Sequence, residues 1–526
     1  MKRWTPRLEP TKKEQFILKR LKRTRRLFAF LRLHRHELFD DAFQAELEGM
    51  YRQPGAGADP IPPAQLCMVL LLQAYLGTSD AEAVELALMD ARWGMVLDCL
   101  GAEEPPISQG AIQQFRERLM AKNLDRRLLE RTIDLARTTK AFDWKKLPKD
   151  LRIAIDSRPF EGAGRVEDTF NLLGHAARTI AHVAATRTQR TVEDVCRLAK
   201  APLLLHSSIK AGLDINWSDP EQKDEALQTL VRQVTSLNEW LDREQLVMAE
   251  PLRPYIEAVA QVQTQDLEDA TDGRVTIRPG VAADRRISIE DPDMRHGRKS
   301  KSQRFNGYKQ HIASDLDTNL IIACAVTPAN RPEDESVPEL TLALDHHVKR
   351  IGELFIDRAY VNSTLVGDVV ASGGKVIAKP WAMRNVANPD LYSKADFTID
   401  MRSKTITCPA GQVQPFDEGE TVEFDPDVCG ACPIRDMCTR AASGRGRTVQ
   451  IAVDERLQQR FRKLQSCKSG RQELRQRTGI EHRLAHIAAS QGPKARYRGT
   501  RKNLFDLTRV AAIQNLETIR RVSAAA

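Results

Sequence analysis

Gly352-Glu-Leu-Phe-Ile-Asp-Arg-Ala-Tyr360 is the stretch whose reading decides the fold. Leu354, Phe355 and Ile356 form an unbroken apolar run that ends on Asp357. So short a run suits a strand buried on both faces, as in a parallel or mixed sheet. Asp357 then stands at the carboxyl end of that strand, before a turn toward Asn362 and a helix over 362–371. Ligand chemistry in open α/β sheets gathers at such strand ends, so the partners of this acid are sought along the chain. Leu151-Arg-Ile-Ala-Ile-Asp156 is a second strand-like run that ends on an aspartate. Ser157-Arg158-Pro159 is expected to force the chain out of that strand.

Working outward, 306–313 and 320–326 alternate or run apolar around Asp317-Thr-Asn319, the signature of a hairpin. A helix over 337–348 and a short strand at Lys375-Val-Ile-Ala-Lys379 complete the pattern. Strand, hairpin, helix, strand, helix, strand predicts a mixed α/β sheet. A polar helical stretch from Asp168 to about Val262 separates the first strand from the rest, so about 165–280 reads as an insertion. Asp291 to Arg304 reads as a basic loop. From Phe39 to about Lys140 the pattern is helical. Pro60-Ile-Pro-Pro63 opens one helix, and Gly77-Thr-Ser-Asp80 stops it and caps the next. Ile112, Phe115 and Leu119 mark a third helix. These short helices fit a helix-turn-helix-type module or a plain helical bundle.

The chain has 526 residues, enough for two to four domains, with the apolar and charged content of a soluble globular protein. It has no eighteen-residue apolar run, and no apolar segment follows Met1-Lys-Arg-Trp-Thr. Neither a membrane span nor a secretory signal is therefore expected, and a cytoplasmic location is. The net charge is +9, and residues 1–36 hold thirteen Lys/Arg against two Glu. The remainder is slightly acidic. A block such as Lys19-Arg-Leu-Lys-Arg-Thr-Arg-Arg26 draws polyanions by counterion release, so 1–36 reads as a basic arm for nucleic acid or as a solvated tail.

Cys408, Cys429, Cys432 and Cys438 stand as C-x20-C-x2-C-x5-C in a stretch rich in Gly, Pro and Asp, over 401–453. Without a secretory signal, disulfides account for them poorly. A C-x2-C knuckle supplies two tetrahedral thiolates, so a structural Zn²⁺ in a zinc-ribbon-like insertion is expected, against unligated or redox-active cysteines. The other five cysteines read as core fillers.

Two aspartates at strand ends lack a third hard oxygen ligand for a Mg²⁺ site. Glu481 is the best candidate. Ile480, Leu484 and Ile487 form one apolar helix stripe, and Arg477 and Glu481 lie one turn apart on its flank. A surface Arg–Glu pair is the alternative reading. His482 and His486 share the i, i+4 spacing of a metal pair but fall on another face, where DNA backbone or solvent is expected. Asp291, Asp293 and Asp315 are further acids, expected to be solvated loop residues.

Taken in order, these motifs resemble the DDE transposases of bacterial insertion sequences, which have an RNase-H-like catalytic domain. The likeness is carried by Ala154-Ile-Asp156-Ser-Arg158, Asp293-Met-Arg295, Phe305-Asn-Gly-Tyr-Lys-Gln-His-Ile-Ala313 and Phe355-Ile-Asp357-Arg-Ala-Tyr360. It continues in Cys408-Pro-Ala-Gly411, Cys429-Gly-Ala-Cys-Pro-Ile-Arg435, Gly479-Ile-Glu481-His-Arg483 and Ala495 to Asn503. Leu38 to Ala42 and Pro62 to Leu119 resemble the helical N-terminal domain of these enzymes. The resemblance implies an RNase-H-like mixed-sheet core, 147–400 and 454–520, split by insertions and preceded by an all-α DNA-binding domain at 37–146. It implies a catalytic triad of Asp156, Asp357 and Glu481 holding two Mg²⁺ (or Mn²⁺). Strand cleavage at terminal repeats and strand transfer to double-stranded target DNA would follow, by a homodimer at the nucleoid. Many relatives carry Y-x2-R-x3-E-x6-K around the Glu. Here Arg477 and Glu481 fit, but Leu474 and Ala488 replace the Tyr and the Lys, with Lys494 or Arg496 as stand-ins. DNA contacts are expected from Arg298, Lys299, Lys301, Arg304 and Lys309, from Arg477 and His482, and from Arg496, Arg498, Arg501 and Lys502. The competing functions are a catalytically silent DNA-binding regulator on the same fold and a Mg²⁺ nuclease without strand transfer.

Overall fold

A computed structural model describes residues 3–21, 25–51, 60–271, 273–300, 302–345, 350–383 and 390–523. The chain forms two compact units. One comprises Met1–Leu147, Ser157–Val348 and His482–Ala526, and the other Pro148–Asp156 and Lys349–Glu481. The chain crosses between them directly after Asp156 and directly after Glu481.

The first part of the chain is helical: α1 (Lys12–Arg20), α2 (Arg26–Leu38), α3 (Asp41–Glu48), α4 (Pro63–Leu76), α5 (Asp80–Met89), α6 (Ala91–Leu97), α7 (Gln109–Ala121) and α8 (Asp125–Thr138). Pro63 sits in the first turn of α4, where its missing N–H costs nothing, and Gly77 ends that helix at φ 74°. Ser79 and Glu82 form the capping box of α5. Residues 1–36, read above as an arm, hold α1 and most of α2. The reason is apolar: Leu27, Phe28, Phe30 and Leu31 are buried. Two of the arginines are buried with them. Arg32 meets the buried Glu14 at 2.8 Å, and Arg35 donates to the orphan carbonyls of Met95 and Val96 in the last turn of α6.

Next come β1 (Leu151–Glu161), then α9 (Thr169–Thr188), α10 (Val192–Leu198), α11 (Ile209–Leu213), α12 (Pro220–Arg243) and α13 (Arg253–Asp266). The stretch is helical as its pattern predicts, with a core of Leu172, Ala176, Ile180, Leu230, Leu237, Trp240 and Val262. A small hairpin, β2 (Leu267–Asp269) and β3 (Val275–Ile277), follows it.

Pro159 does not end β1, contrary to expectation. Beyond it, Glu161 pairs with the 493–495 segment, and the N–H of Gly162 donates to the carbonyl of Asn306 at 2.7 Å. Backbone bonding on both sides keeps the chain extended despite the lost proline donor. The approach is close at Gly307, where a Cβ would lie 2.3 Å from the carbonyl oxygen of Phe160.

β4 (Arg295–Arg298), β5 (Arg304–Asp315) and β6 (Ile321–Pro328) form an antiparallel set. The stretch read as a basic loop is thus partly strand, with Arg298 directly across from Arg304. The β5–β6 hairpin is the expected one. Asn319 turns at φ 58°, and Asp315 accepts the N–H of Thr318. After α14 (Val337–Asp345), the second unit resumes with β7 (Ile351–Phe355), α15 (Thr364–Ala371) and β8 (Lys375–Ile377). The first part of β1, β7 and β8 are all parallel.

Five three-residue strands follow: β9 (Thr398–Asp400), β10 (Thr405–Thr407), β11 (Val413–Pro415), β12 (Thr421–Glu423) and β13 (Thr448–Gln450), with α16 (Pro426–Gly430) and α17 (Arg435–Cys438) before β13. They enclose a small core of Phe397, Ile406, Phe416, Phe424, Val449 and Ile451, against which Cys408, Cys429 and Cys438 pack. The chain then runs through α18 (Glu455–Ser466), α19 (Lys468–Arg475), α20 (Thr478–Gln491) and α21 (Thr500–Ser523). In the first unit α21 packs on α4, α8 and β6. Its buried Asn515 exchanges hydrogen bonds with both backbone groups of Ile321, at 2.8 Å each. Among the described residues no helix is long and apolar enough to cross a membrane.

Candidate active site

The candidate site lies just past the parallel pairing of β1 with β7. Asp357 follows the end of β7, but Asp156 stands inside β1, which runs on to Glu161 and so does not end at this acid as expected. Arg152 pairs with Glu353, Ile153 with Leu354 and Ala154 with Phe355. The last pair, Ala154 with Phe355, stands two residues before each acid, Asp156 and Asp357. Both runs are apolar because they are covered on both faces: Ile153, Ala154, Ile155, Leu354, Phe355 and Ile356 are all buried. The acids that follow these apolar runs are half-buried. One oxygen of Asp357 accepts the N–H of Arg358 at 2.8 Å and caps the turn Arg358–Tyr360.

Glu481 lies in the first turn of α20, and Ile480, Leu484 and Ile487 are its buried stripe, as the spacing predicts. Arg477 precedes the helix and joins the acids. Its Nη2 donates to Glu481 at 2.9 Å, and its Nη1 lies 2.9 Å from Asp156. The second contact is an ion pair without hydrogen-bond alignment, because buried Nη1 has no hydrogen-bond partner. The start of α20 is fixed to the sheet by charge. Arg152 meets Glu353 at 2.7 Å and also bonds Gln476, while Lys375 of β8 pairs with Glu473 of α19. Sequence reasoning missed this network. The signal was available: Arg152 stands four residues before Asp156, and Glu353 four before Asp357. Among the described residues no three His, Cys, Asp or Glu are gathered closely enough to ligate an ion. A guanidinium lies between Asp156 and Glu481 instead, neutralising carboxylates that would otherwise repel.

The other expected contacts divide by environment. Arg298, Lys299 and Arg304 are exposed on the β4–β5 hairpin, and His482, His486 and Lys502 are exposed on their helices. Lys301 lies outside the described residues. Lys309 donates to the carbonyl of Arg331 at 2.8 Å. Arg496 donates to the carbonyl of Thr78 at 3.0 Å, and Arg498 pairs with Glu290 at 2.6 Å. Arg501 grips the buried Asp125 at 2.6 and 2.8 Å. These four side chains stitch the first unit together.

The acids expected to be solvated are not. Asp291 is fully buried, accepts the Tyr308 hydroxyl and the N–H of Gly499, and has its carboxyl pushed up by burial. Asp293 accepts the N–H and hydroxyl of Thr500, both at 2.8 Å, which caps α21 from another segment. Asp315 is buried in its turn with Thr318. Cys408, Cys429, Cys432 and Cys438 are free thiols lining one cavity of about 300 Å³. Cys408 Sγ accepts the N–H of Gln412 at 3.3 Å. Burial, and then the other three sulfurs, push the Cys438 thiol up, against the pull of Arg447.

One guanidinium thus joins two carboxylates, Asp156 and Glu481, beside the parallel strands. The class of the chain comes from two family matches: residues 407–520 match the Transposase DDE domain, and residues 19–118 match the Transposase domain (DUF772). The two matches together are consistent with an insertion-sequence DDE transposase. A DDE domain implies an enzyme that cleaves nucleic acid. The first match takes in the four cysteines and Glu481, while Asp156 and Asp357 lie outside both. No curated protein and no solved structure matches the chain.

Proposed function

We propose that the chain binds the terminal repeats of an insertion sequence, cleaves strands there, and transfers them to target DNA. The observation that supports this reading is the register of β1 and β7, whose last pair stands two residues before Asp156 and Asp357, together with the guanidinium that ties Glu481 to Asp156. The donor set is hard and anionic, the chemistry that Mg²⁺ or Mn²⁺ prefers. Asp156, Asp357 and Glu481 would hold two such ions, which supply Lewis-acid stabilisation of the attacking and leaving oxygens. The fold is then an RNase-H-like core in pieces, with helical DNA-binding segments ahead of it. Arg298, Lys299 and Arg304 reach phosphates from the hairpin, with His482 and Lys502 as further contacts. The four cysteines would hold a structural Zn²⁺ that organises the 401–453 insertion. Joining two DNA ends calls for two copies of the chain, at the nucleoid.

Purified protein, terminal-repeat DNA, a target plasmid and Mg²⁺ test the reading. Joined products are expected. Nicks alone would make it a nuclease, and bound, uncut DNA a regulator. Asp357→Asn is expected to lower joining by at least about a hundredfold, the scale of losing one electrostatic stabiliser of a transition state. Wild-type joining by that variant would sink the assignment.

A further inference from the structure

We propose that Arg477 is a counter-cation that holds Asp156 and Glu481 in place until a divalent ion replaces it, and that a DNA phosphate draws it away. The inference rests on reading Asp156, Asp357 and Glu481 as a metal site.

One guanidinium spans two carboxylates from distant parts of the chain, each at 2.9 Å and each through a different nitrogen. The backbone at Arg477 is fixed, since its carbonyl accepts the N–H of Ile480 at the helix start and the neighbouring Gln476 bonds Arg152. The side chain is held less firmly. Nη1 is buried and faces Asp156 without hydrogen-bond alignment, so that contact is Coulombic and one donor remains unsatisfied. A cation at these carboxylates would repel the guanidinium, so the two compete for the same oxygens. A phosphate offers the planar fork two acceptors at once, which Asp156 does not. Phosphate and carboxylates therefore compete for Arg477 in turn. Reciprocity follows: duplex DNA and the divalent ion each tighten the binding of the other. Arg477 is a positioning residue whose guanidinium moves while its backbone stays.

The test is Mn²⁺ binding to the full chain by electron paramagnetic resonance, with no reaction running. Without DNA, Arg477→Gln is expected to bind Mn²⁺ about threefold to tenfold tighter than wild type, the scale of the ion pairs removed. Arg477→Lys should fall between them. Unchanged or weaker binding by Arg477→Gln overturns the proposal. A second measurement uses wild-type protein only: a short random-sequence duplex should tighten Mn²⁺ binding by a similar factor, after subtraction of ions held by the duplex, and no change overturns the proposal. Asp357→Asn separates the two readings. If it keeps wild-type Mn²⁺ binding, the metal site itself is wrong. If it loses Mn²⁺ while Arg477→Gln gains nothing, only the role of Arg477 falls.

Discussion

Asp291 shows how one residue can be misjudged from its neighbours in sequence. It stands beside Pro292, just ahead of a basic run, where acids are ordinarily solvated, yet it is fully buried beneath the start of α21. Burial raises its carboxyl above the usual range. The folded chain therefore holds this proton to a higher pH than the unfolded chain does. Between those two values the folded state binds more protons, so this group's contribution to stability falls as pH rises. Asp291→Asn cannot titrate. Urea midpoints of both proteins across the acid-to-neutral range should show wild type losing ground steadily to the variant as pH increases, and a constant difference would refute the assignment. Asp156 and Asp357, by contrast, were legible as residues, because each ends an apolar run. The charged pair Arg152–Glu353 was legible too, once the runs are aligned on their acids. Its bond to Gln476 was not, because nothing local announces a partner more than three hundred positions away.

At the scale of elements, length and periodicity decided what could be read. The β5–β6 hairpin, α20 with its buried stripe and the helical insertion carry enough repeats to announce themselves. The end of β1 was misplaced because proline's missing donor is a local cost, while the bonds that outweigh it come from Asn306 and the 493–495 segment. The strands β9 to β13 are only three residues each, too short for alternation to register. Only their cysteines marked that region. The subdomain has a core of eight buried residues, three of the four cysteines pack on it, and none forms a disulfide. So small a core needs a staple. Cys432→Ser is therefore expected to lose stoichiometric zinc from purified protein and to open 401–453 to protease, with the rest of the chain intact. Folded wild-type protein without zinc would end that expectation.

The molecule as a whole is assembled from pieces that the sequence keeps far apart. Two of the three candidate acids, Asp156 and Glu481, sit where the chain passes from one compact unit to the other. The sequence pattern did not announce that residues 1–36 would contribute buried side chains to the first unit. Helix α21 is the strongest case. It is buried along almost its whole length, and its Asn515 serves the edge of β6 as a neighbouring strand would. A chain stopped before Thr500 would leave the apolar faces of α4, α8 and β6 uncovered. Expression of that truncation should give insoluble protein, and a soluble, cooperatively unfolding product would contradict this account.

Helix α21 also sets a timetable. Arg509 of α21 donates to the carbonyl of Leu70 in α4, 439 positions earlier. At ordinary rates of synthesis, α4 waits roughly 20–90 s for that partner to be made. During that interval the nascent chain has its basic N-terminal residues outside the ribosome and no finished core, which makes it a client for chaperones. A ribosome that stalls or a message that is cut short thus releases a chain whose α4 lacks its late partner.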